Sequence, residues 1–284
     1  MLKTVLIYNK DETKLNSYDI LRSLEENSID VIVIRDNSLE DDGLASLVNK
    51  AALIPYECLL LTDSVAMAKQ AHFLNITCIG IQDSPSNNYF DGASCVVDSP
   101  IELDYETIIA EYNHSHNLPS NILTTKRLII KELTTDDVVS LYSLYANKEH
   151  VRFLPPLDTL EKEVEKQEAY IKNMYNLYRF GLWGVYLKDT DKLIGRCGLQ
   201  CIELHGNTEI ELGYLIDATY SHMGYGYEAT KSILEYAKNN LYIDSIVTRI
   251  HKDNLPSKQL AIKLGFKLIE PLEDNNELHY RIDL

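Results

Sequence analysis

Short apolar blocks alternate with helically spaced stretches through the first hundred residues, and a different rhythm follows. Residues 5–8, 31–34, 58–61, 78–81 and 95–97 are runs of Val, Ile, Leu and Cys, which suit strands buried on both faces. Between them, residues 14–27, 43–52 and 64–74 carry helical spacing. This βαβα order predicts a small parallel sheet with helices on both sides. The segment EYNHSHNLPS, residues 111–120, is polar and ends in Pro-Ser, and reads as a linker.

Beyond it, residues 126–133 alternate apolar and polar positions as a half-buried strand does. Thr135 precedes a predicted helix, DDVVSLYSLYAN, with acids in its first turn, where the helix dipole favours them. A second helix is predicted over 160–178, then a hairpin of 182–188 and 193–204 about the turn 189–191. His205-Gly206-Asn207 turns the chain into a strand over 208–216. A helix over 224–241, a strand over 245–251 and a helix over 256–264 follow, and two last strands flank Asp274-Asn275-Asn276.

Charge narrows the range of partners. The 284 residues hold 27 Lys and Arg against 43 Asp and Glu, for a net charge of −16. Residues 1–118 carry 7 basic and 19 acidic side chains, and residues 119–284 carry 20 and 24. A surface that negative repels phosphate backbones and anionic lipid, which argues against nucleic-acid and membrane partners. No apolar run approaches the roughly 18–20 residues of a spanning helix, and the apolar stretch of the N-terminus is too short for a signal peptide. The five cysteines, Cys58, Cys78, Cys95, Cys197 and Cys201, are odd in number and form no CxxC pair, so no disulfide framework is expected and the chain reads as cytoplasmic. The eight histidines show no ligand spacing; His205 and His251 read as turn and strand residues, and no metal is expected. Oligomeric state leaves no signal in the sequence.

The chemistry is concentrated in IELGYLIDATYSHMGYGYEATKSILEYAKNN. A strand enters a short polar loop, and the loop enters a long helix through Gly224-Tyr225-Gly226. Glycines let the backbone turn sharply and let a ligand approach its N–H groups. The first N–H groups of the helix lack internal partners and sit at its positive pole, which makes an anion site suited to a pyrophosphate. About 28 residues on comes DNLPSKQLAIKLGF, where Pro256 and Gly265 bracket a short helix. Upstream, LIGRCGLQ forms the strand before the one carrying ELGY.

Together with the opening TKRLIIKELTTDD, this ordered set resembles the GNAT superfamily of acyl-CoA N-acetyltransferases. The nearest branch is that of the ribosomal-protein N-terminal acetyltransferases (RimJ/RimL-like). The resemblance covers residues 120–284 and implies an α+β domain with a mixed, mainly antiparallel sheet and acetyl-CoA as cosubstrate. It places the pyrophosphate loop at Ser221, His222, Met223, Gly224, Tyr225, Gly226 and Tyr227, with Ser221 where the family carries Gln or Arg. It lays Leu215, Ile216 and Asp217 along the pantetheine arm and sets Asn254 toward the cofactor, a position that also suits a helix cap. Transfer to an amine needs a neutral nucleophile, because an ammonium near pKa 10 is mostly protonated at pH 7, so a group must take that proton. Family members often place a carboxylate on this strand. Glu211 is the first candidate and Glu209 the second, against the alternative of a solvated strand face. Many relatives carry a Tyr as general acid where this chain has Ala261. Tyr170, Tyr175, Tyr178 and Trp183 fall where the family builds its acceptor pocket, and Trp183 is a candidate wall, although aromatics at helical spacing also suit a core.

Residues 1–116 resemble, more loosely, a haloacid-dehalogenase-like (HAD) core. That family follows its first strand with Asp-x-Asp-x-Thr, and this chain has Asn9-Lys10-Asp11-Glu12-Thr13; an amide is a poor nucleophile. Arg35 stands where the family has Ser or Thr, and TDSVAM keeps Asp63 but puts Met67 in place of the second metal-site acid. The expected chain is thus α/β: a small parallel-sheet, Rossmann-like, degenerate HAD-like domain followed by a GNAT N-acetyltransferase acting on a protein N-terminus or a small amine. A non-catalytic CoA-binding sensor, and a phosphohydrolase working through the first domain, remain as competing readings.

Overall fold

In the computed structural model the chain divides into two compact units, Met1–Leu118 and Pro119–Leu284. The structure describes residues 1–9, 18–35, 43–82, 90–99, 103–149, 151–204, 206–271 and 276–284. The predicted turns at His205 and Asp274-Asn275, and the stretch 10–13 of the HAD-like motif, lie outside the described residues.

The first unit holds a five-stranded parallel sheet. Strands β1 (Thr4–Tyr8), β2 (Asp30–Ile34), β3 (Cys58–Thr62), β4 (Thr77–Ile81) and β5 (Cys95–Val97) lie in the order β2-β1-β3-β4-β5. The three central strands are buried throughout, which is why they read as continuous apolar blocks. Helices α1 (Tyr18–Glu26), α2 (Gly43–Lys50), α3 (Val65–Phe73) and α4 (Tyr105–Ser115) cover it. Strand alternation sorts the core into two layers. Val5, Ile7, Leu59 and Leu61 pack with Ile20, Leu24, Ile108 and Tyr112 of α1 and α4, whereas Leu6, Tyr8 and Leu60 pack with Leu44, Val48, Met67 and Ala71 of α2 and α3. Burial pushes the Cys58 thiol up to about 11 and the Cys78 thiol up to about 12, so both behave as apolar filler.

One boundary needs correction. The segment read as a linker from residue 111 is helical as far as Ser115. Asp104 caps α4 by accepting from the Thr107 N–H (2.7 Å), and Tyr112 is buried with its hydroxyl donating to the Tyr56 carbonyl (2.8 Å). The run is polar in composition, yet Glu111 and Tyr112 are both buried within the helix.

The second unit is an eight-stranded mixed sheet in the order β12-β13-β11-β10-β9-β8-β7-β6. Its strands are β6 (Asn121–Thr124), β7 (Leu128–Lys131), β8 (Leu182–Leu187), β9 (Leu193–Leu204), β10 (Asn207–Ile216), β11 (Ser245–His251), β12 (Lys267–Pro271) and β13 (Glu277–Asp283). Every pairing is antiparallel except that of β10 with β11. The strand predicted over 126–133 is shorter, and β6 pairs with it as a hairpin that the pattern did not announce. Helix α5 (Val138–Leu144) packs Leu141 and Leu144 against Tyr186 and Leu193 on one face. Helices α8 (Tyr225–Asn240) and α9 (Leu255–Leu264) cover the other, with Ala229, Ile233 and Ala261 against Trp183, Cys197 and Leu212. The helix predicted over 160–178 is α6 (Leu160–Tyr170), a π-helical turn (Ile171–Tyr175) and α7 (Asn176–Tyr178) in succession. Among the described residues, no helix is long and apolar enough to cross a membrane.

Glu132, just past β7, is 4% exposed and accepts from the Ser120 N–H (2.9 Å). Burial pushes its carboxyl up to about 7 from the ordinary 4.5, against the lowering effect of the Ser120 N–H. Because the folded value is raised, its contribution is full below about pH 4.5 and is lost as pH rises through about 7. Glu132→Gln keeps an acceptor and cannot ionise. It is expected to gain on the wild type by up to roughly 3 kcal/mol between pH 4.5 and pH 9. Urea denaturation at both ends of that range checks this; an equal stability difference at both would remove Glu132 from the pH dependence.

Candidate active site

The parallel ladder between β10 and β11 consists of one residue pair, Glu211 with Val247. Beyond it the ladder between the two strands ends among the described residues, while β10 stays paired with β9 as far as Ile216. The opening is a wedge with Glu211 at its apex. Tyr214 spans toward its far wall, donating from its hydroxyl to the Ser257 carbonyl of α9 (3.0 Å).

Glu211 is 6% exposed and is not on a free strand face. Oε1 accepts from Arg249 Nε (2.8 Å) and from the Arg249 backbone N–H (3.3 Å), while Oε2 accepts from Gln200 Nε2 (2.6 Å) and Arg249 Nη2 (3.0 Å). Four donors meet the roughly four acceptor positions of a carboxylate. The same contact raises the Arg249 guanidinium above its ordinary value. Glu209, two residues back on the same face, pairs with Arg281 Nη2. The solvated face considered from sequence is thus corrected to an ion-paired one, because β11 and β13 bring arginines across it.

At the mouth, Asp217 caps a short turn (Ala218–Tyr220) by accepting from the Thr219 N–H (2.7 Å). The chain then runs through Ser221, His222 and the exposed Met223 to Gly224, whose φ of 83° is left-handed, a region that glycine enters without strain. Gly226 differs. A Cβ there would stand 3.5 Å from Leu260 Cδ2 and 3.6 Å from Ile216 Cγ1, ordinary contacts that the protein itself would tolerate. That Cβ would project between the end of β10 and α9, into the wedge. Glycine thus leaves the backbone bare on the side that faces Leu260 and Ile216. Tyr227 lies under Lys263 Nζ at 4.4 Å.

Sequence reading missed Arg127, whose Nε donates to Glu228 of α8 (2.7 Å) and whose Nη1 donates to the Met223 carbonyl (3.0 Å). Thr125 Oγ1 donates to the same carboxylate (2.6 Å), and these contacts hold the carboxyl of Glu228 below its ordinary value against desolvation, which opposes them. The partners lie about a hundred residues apart, so no local motif joins them. Asn254 caps α9 by accepting from the Ser257 N–H (3.3 Å). Leu215 and Ile216 close β10, where they pair with Arg196 and Gly195 of β9. Trp183 is corrected as a pocket wall: it is fully buried, edge-on to Tyr236 at 5.9 Å, because alternation along β8 turns it toward α8. Among the described residues, no group of three or more His, Cys, Asp or Glu is placed to hold a metal ion.

Residues 127–267 match the family described as "Acetyltransferase (GNAT) domain". The chain carries a GNAT N-acetyltransferase domain. It is 26% identical over 148 residues to the uncharacterized N-acetyltransferase YoaA of Bacillus subtilis (strain 168), covering 51% of this chain and 82% of that one. To the [ribosomal protein uS5]-alanine N-acetyltransferase of Escherichia coli (strain K12) it is 23% identical over 163 residues, 55% of this chain and 83% of that one. The GNAT fold is shared with a putative ribosomal-protein-serine acetyltransferase from Vibrio cholerae, at a TM-score of 0.50 and 19% identity, over 57% of this chain and 96% of that structure.

Proposed function

We propose that the GNAT domain moves an acetyl group from acetyl-CoA to a primary amine by direct attack, without an acetyl-enzyme. The observation that carries this reading is the parted β10–β11 pair with a glycine loop and the N-terminus of α8 at its mouth. Bound acetyl-CoA supplies an activated thioester carbonyl. The first N–H groups of α8 and the Gly224 and Gly226 backbone hold its diphosphate. Leu215, Ile216 and Asp217 lie along the pantetheine, and a backbone N–H near Leu215 donates to the carbonyl oxygen. Asn254 adds a cofactor contact beside its capping role. The amine nitrogen bonds to the carbonyl carbon, the carbon–sulfur bond breaks, and the amine proton passes to Glu211. In this reading the amine replaces the neutral Gln200 amide at Oε2, while Arg249 keeps its contacts with both oxygens; Glu209 is the second choice. Ala261 is buried and offers no acid for the thiolate, which leaves as such.

The acceptor class is a protein N-terminus or a small amine, the former supported by the relative named for the alanine of a ribosomal protein. Ser221 and Ala261 favour one second reading, a CoA-binding sensor without turnover. For the first unit we propose a degenerate, non-catalytic HAD-like domain. Its ligand crevice would lie where strand order reverses, between β1 and β3, and there Asn9 replaces a nucleophile, Arg35 is exposed, and Met67 is buried in the core. Free-thiol release from acetyl-CoA is expected with at least one member of an amine and peptide panel, with no Mg²⁺-dependent hydrolysis of a generic phosphate ester. CoA binding without thiol release across the panel would favour the sensor, and phosphate release would overturn the degenerate reading.

A further inference from the structure

We propose that Arg127 supplies the cation toward the cofactor diphosphate that position 221 of the loop lacks, an inference that rests on the CoA reading above. Ser221 stands where the resembling family carries Gln or Arg, so position 221 contributes no long polar side chain. Arg127 approaches the same loop from the start of β7. Its backbone N–H and Nε donate to Glu228 (2.9 and 2.7 Å), and Nη1 donates to the Met223 carbonyl (3.0 Å). The guanidinium carbon lies 4.2 Å from the centre of the Tyr225 ring. These contacts fix the plane of the group against residues 223–225.

They also leave donors over. A guanidinium has five N–H groups; one on Nε and one on Nη1 are used, and the pair on Nη2 has no acceptor among the described residues. Nη2 stands 3.5 Å from where a Cβ on Gly224 would be, beside the left-handed glycine that opens α8. The side chain is 40% exposed, so a ligand can reach it. The fork geometry of Arg suits phosphate oxygens in a way a point charge does not. Glu228 thus anchors the cation without covering the edge that faces the loop.

Calorimetry with CoA, dephospho-CoA and pantetheine tests this, with thermal unfolding to check the fold. Arg127→Met is expected to weaken CoA and dephospho-CoA alike, by about 10- to 100-fold for a lost charge-assisted contact, and to leave pantetheine unchanged. Adding Ser221→Arg should restore much of the loss, which a purely structural staple would not allow. Arg127→Lys keeps the Glu228 anchor should Arg127→Met fold poorly, and is expected to lose affinity too, because its one ammonium is committed there. Variants binding CoA as tightly as the wild type would overturn the proposal and leave the CoA reading standing. A loss confined to CoA, absent with dephospho-CoA, would overturn the diphosphate assignment. A folded wild type that binds no CoA would instead sink the reading on which the proposal rests.

Discussion

Gly226→Val is expected to abolish measurable CoA binding while the protein stays folded. The protein itself has no steric need for glycine at this position: the missing Cβ would meet Leu260 and Ile216 only at 3.5 and 3.6 Å. By helix propensity valine is no worse than glycine, so the change is not expected to unfold a domain of this size. Its two methyl groups would add bulk between the end of β10 and α9, where the proposed reading lays the pantetheine and diphosphate. Gly226→Ala, with one methyl, should show a partial loss. Gly224→Ala makes the contrast, since a φ of 83° strains any side chain by about 1 kcal/mol; it should lower stability as well as affinity. Titration calorimetry and thermal unfolding on the three variants separate these effects, and unchanged CoA affinity in Gly226→Val would remove the cradle.

Glu211→Gln is expected to lower turnover by roughly 10²–10⁴-fold, the usual size of a general-base contribution, with CoA affinity nearly unchanged. The geometry adds a structural cost. Removing one charge from a pair that is 7% exposed at Glu211 but 36% exposed at Arg249 should destabilise by about 1–3 kcal/mol, below the value for a fully buried pair. The pH–rate profile tells the two effects apart. Loss of a proton acceptor should move the rise in rate to higher pH, where the amine deprotonates unaided, whereas a loosened strand lowers the rate at every pH. A variant within threefold of the wild type, with the same profile, would reassign Glu211 to holding β9, β10 and β11 in register and would turn attention to Glu209.

The strands of both units were legible because their signal is local. Buried parallel strands read as apolar blocks, and β10 reads by alternation. The loop into α8 was legible through Gly224 and Gly226. What escaped was set by partners distant in sequence. Alternation correctly put Glu209 and Glu211 on one face, but only the parallel approach of β11 decides that Arg249 saturates Glu211 there. Trp183 was ambiguous for a similar reason, since helical spacing and strand alternation give it different neighbours and β8 settles the choice. The polar composition of the last turns of α4 resembles a linker, although Glu111 and Tyr112 are buried there.

The hold of Thr125 and Arg127 on Glu228 joins positions 103 and 101 residues apart. Contacts of such sequence separation raise the contact order of the domain and require a long loop to close before they form. During synthesis, the opening hairpin leaves the ribosome well before α8 exists to receive it. The support that Thr125 and Arg127 give to Glu228 therefore cannot form before α8 has been made and the intervening stretch of about a hundred residues has closed.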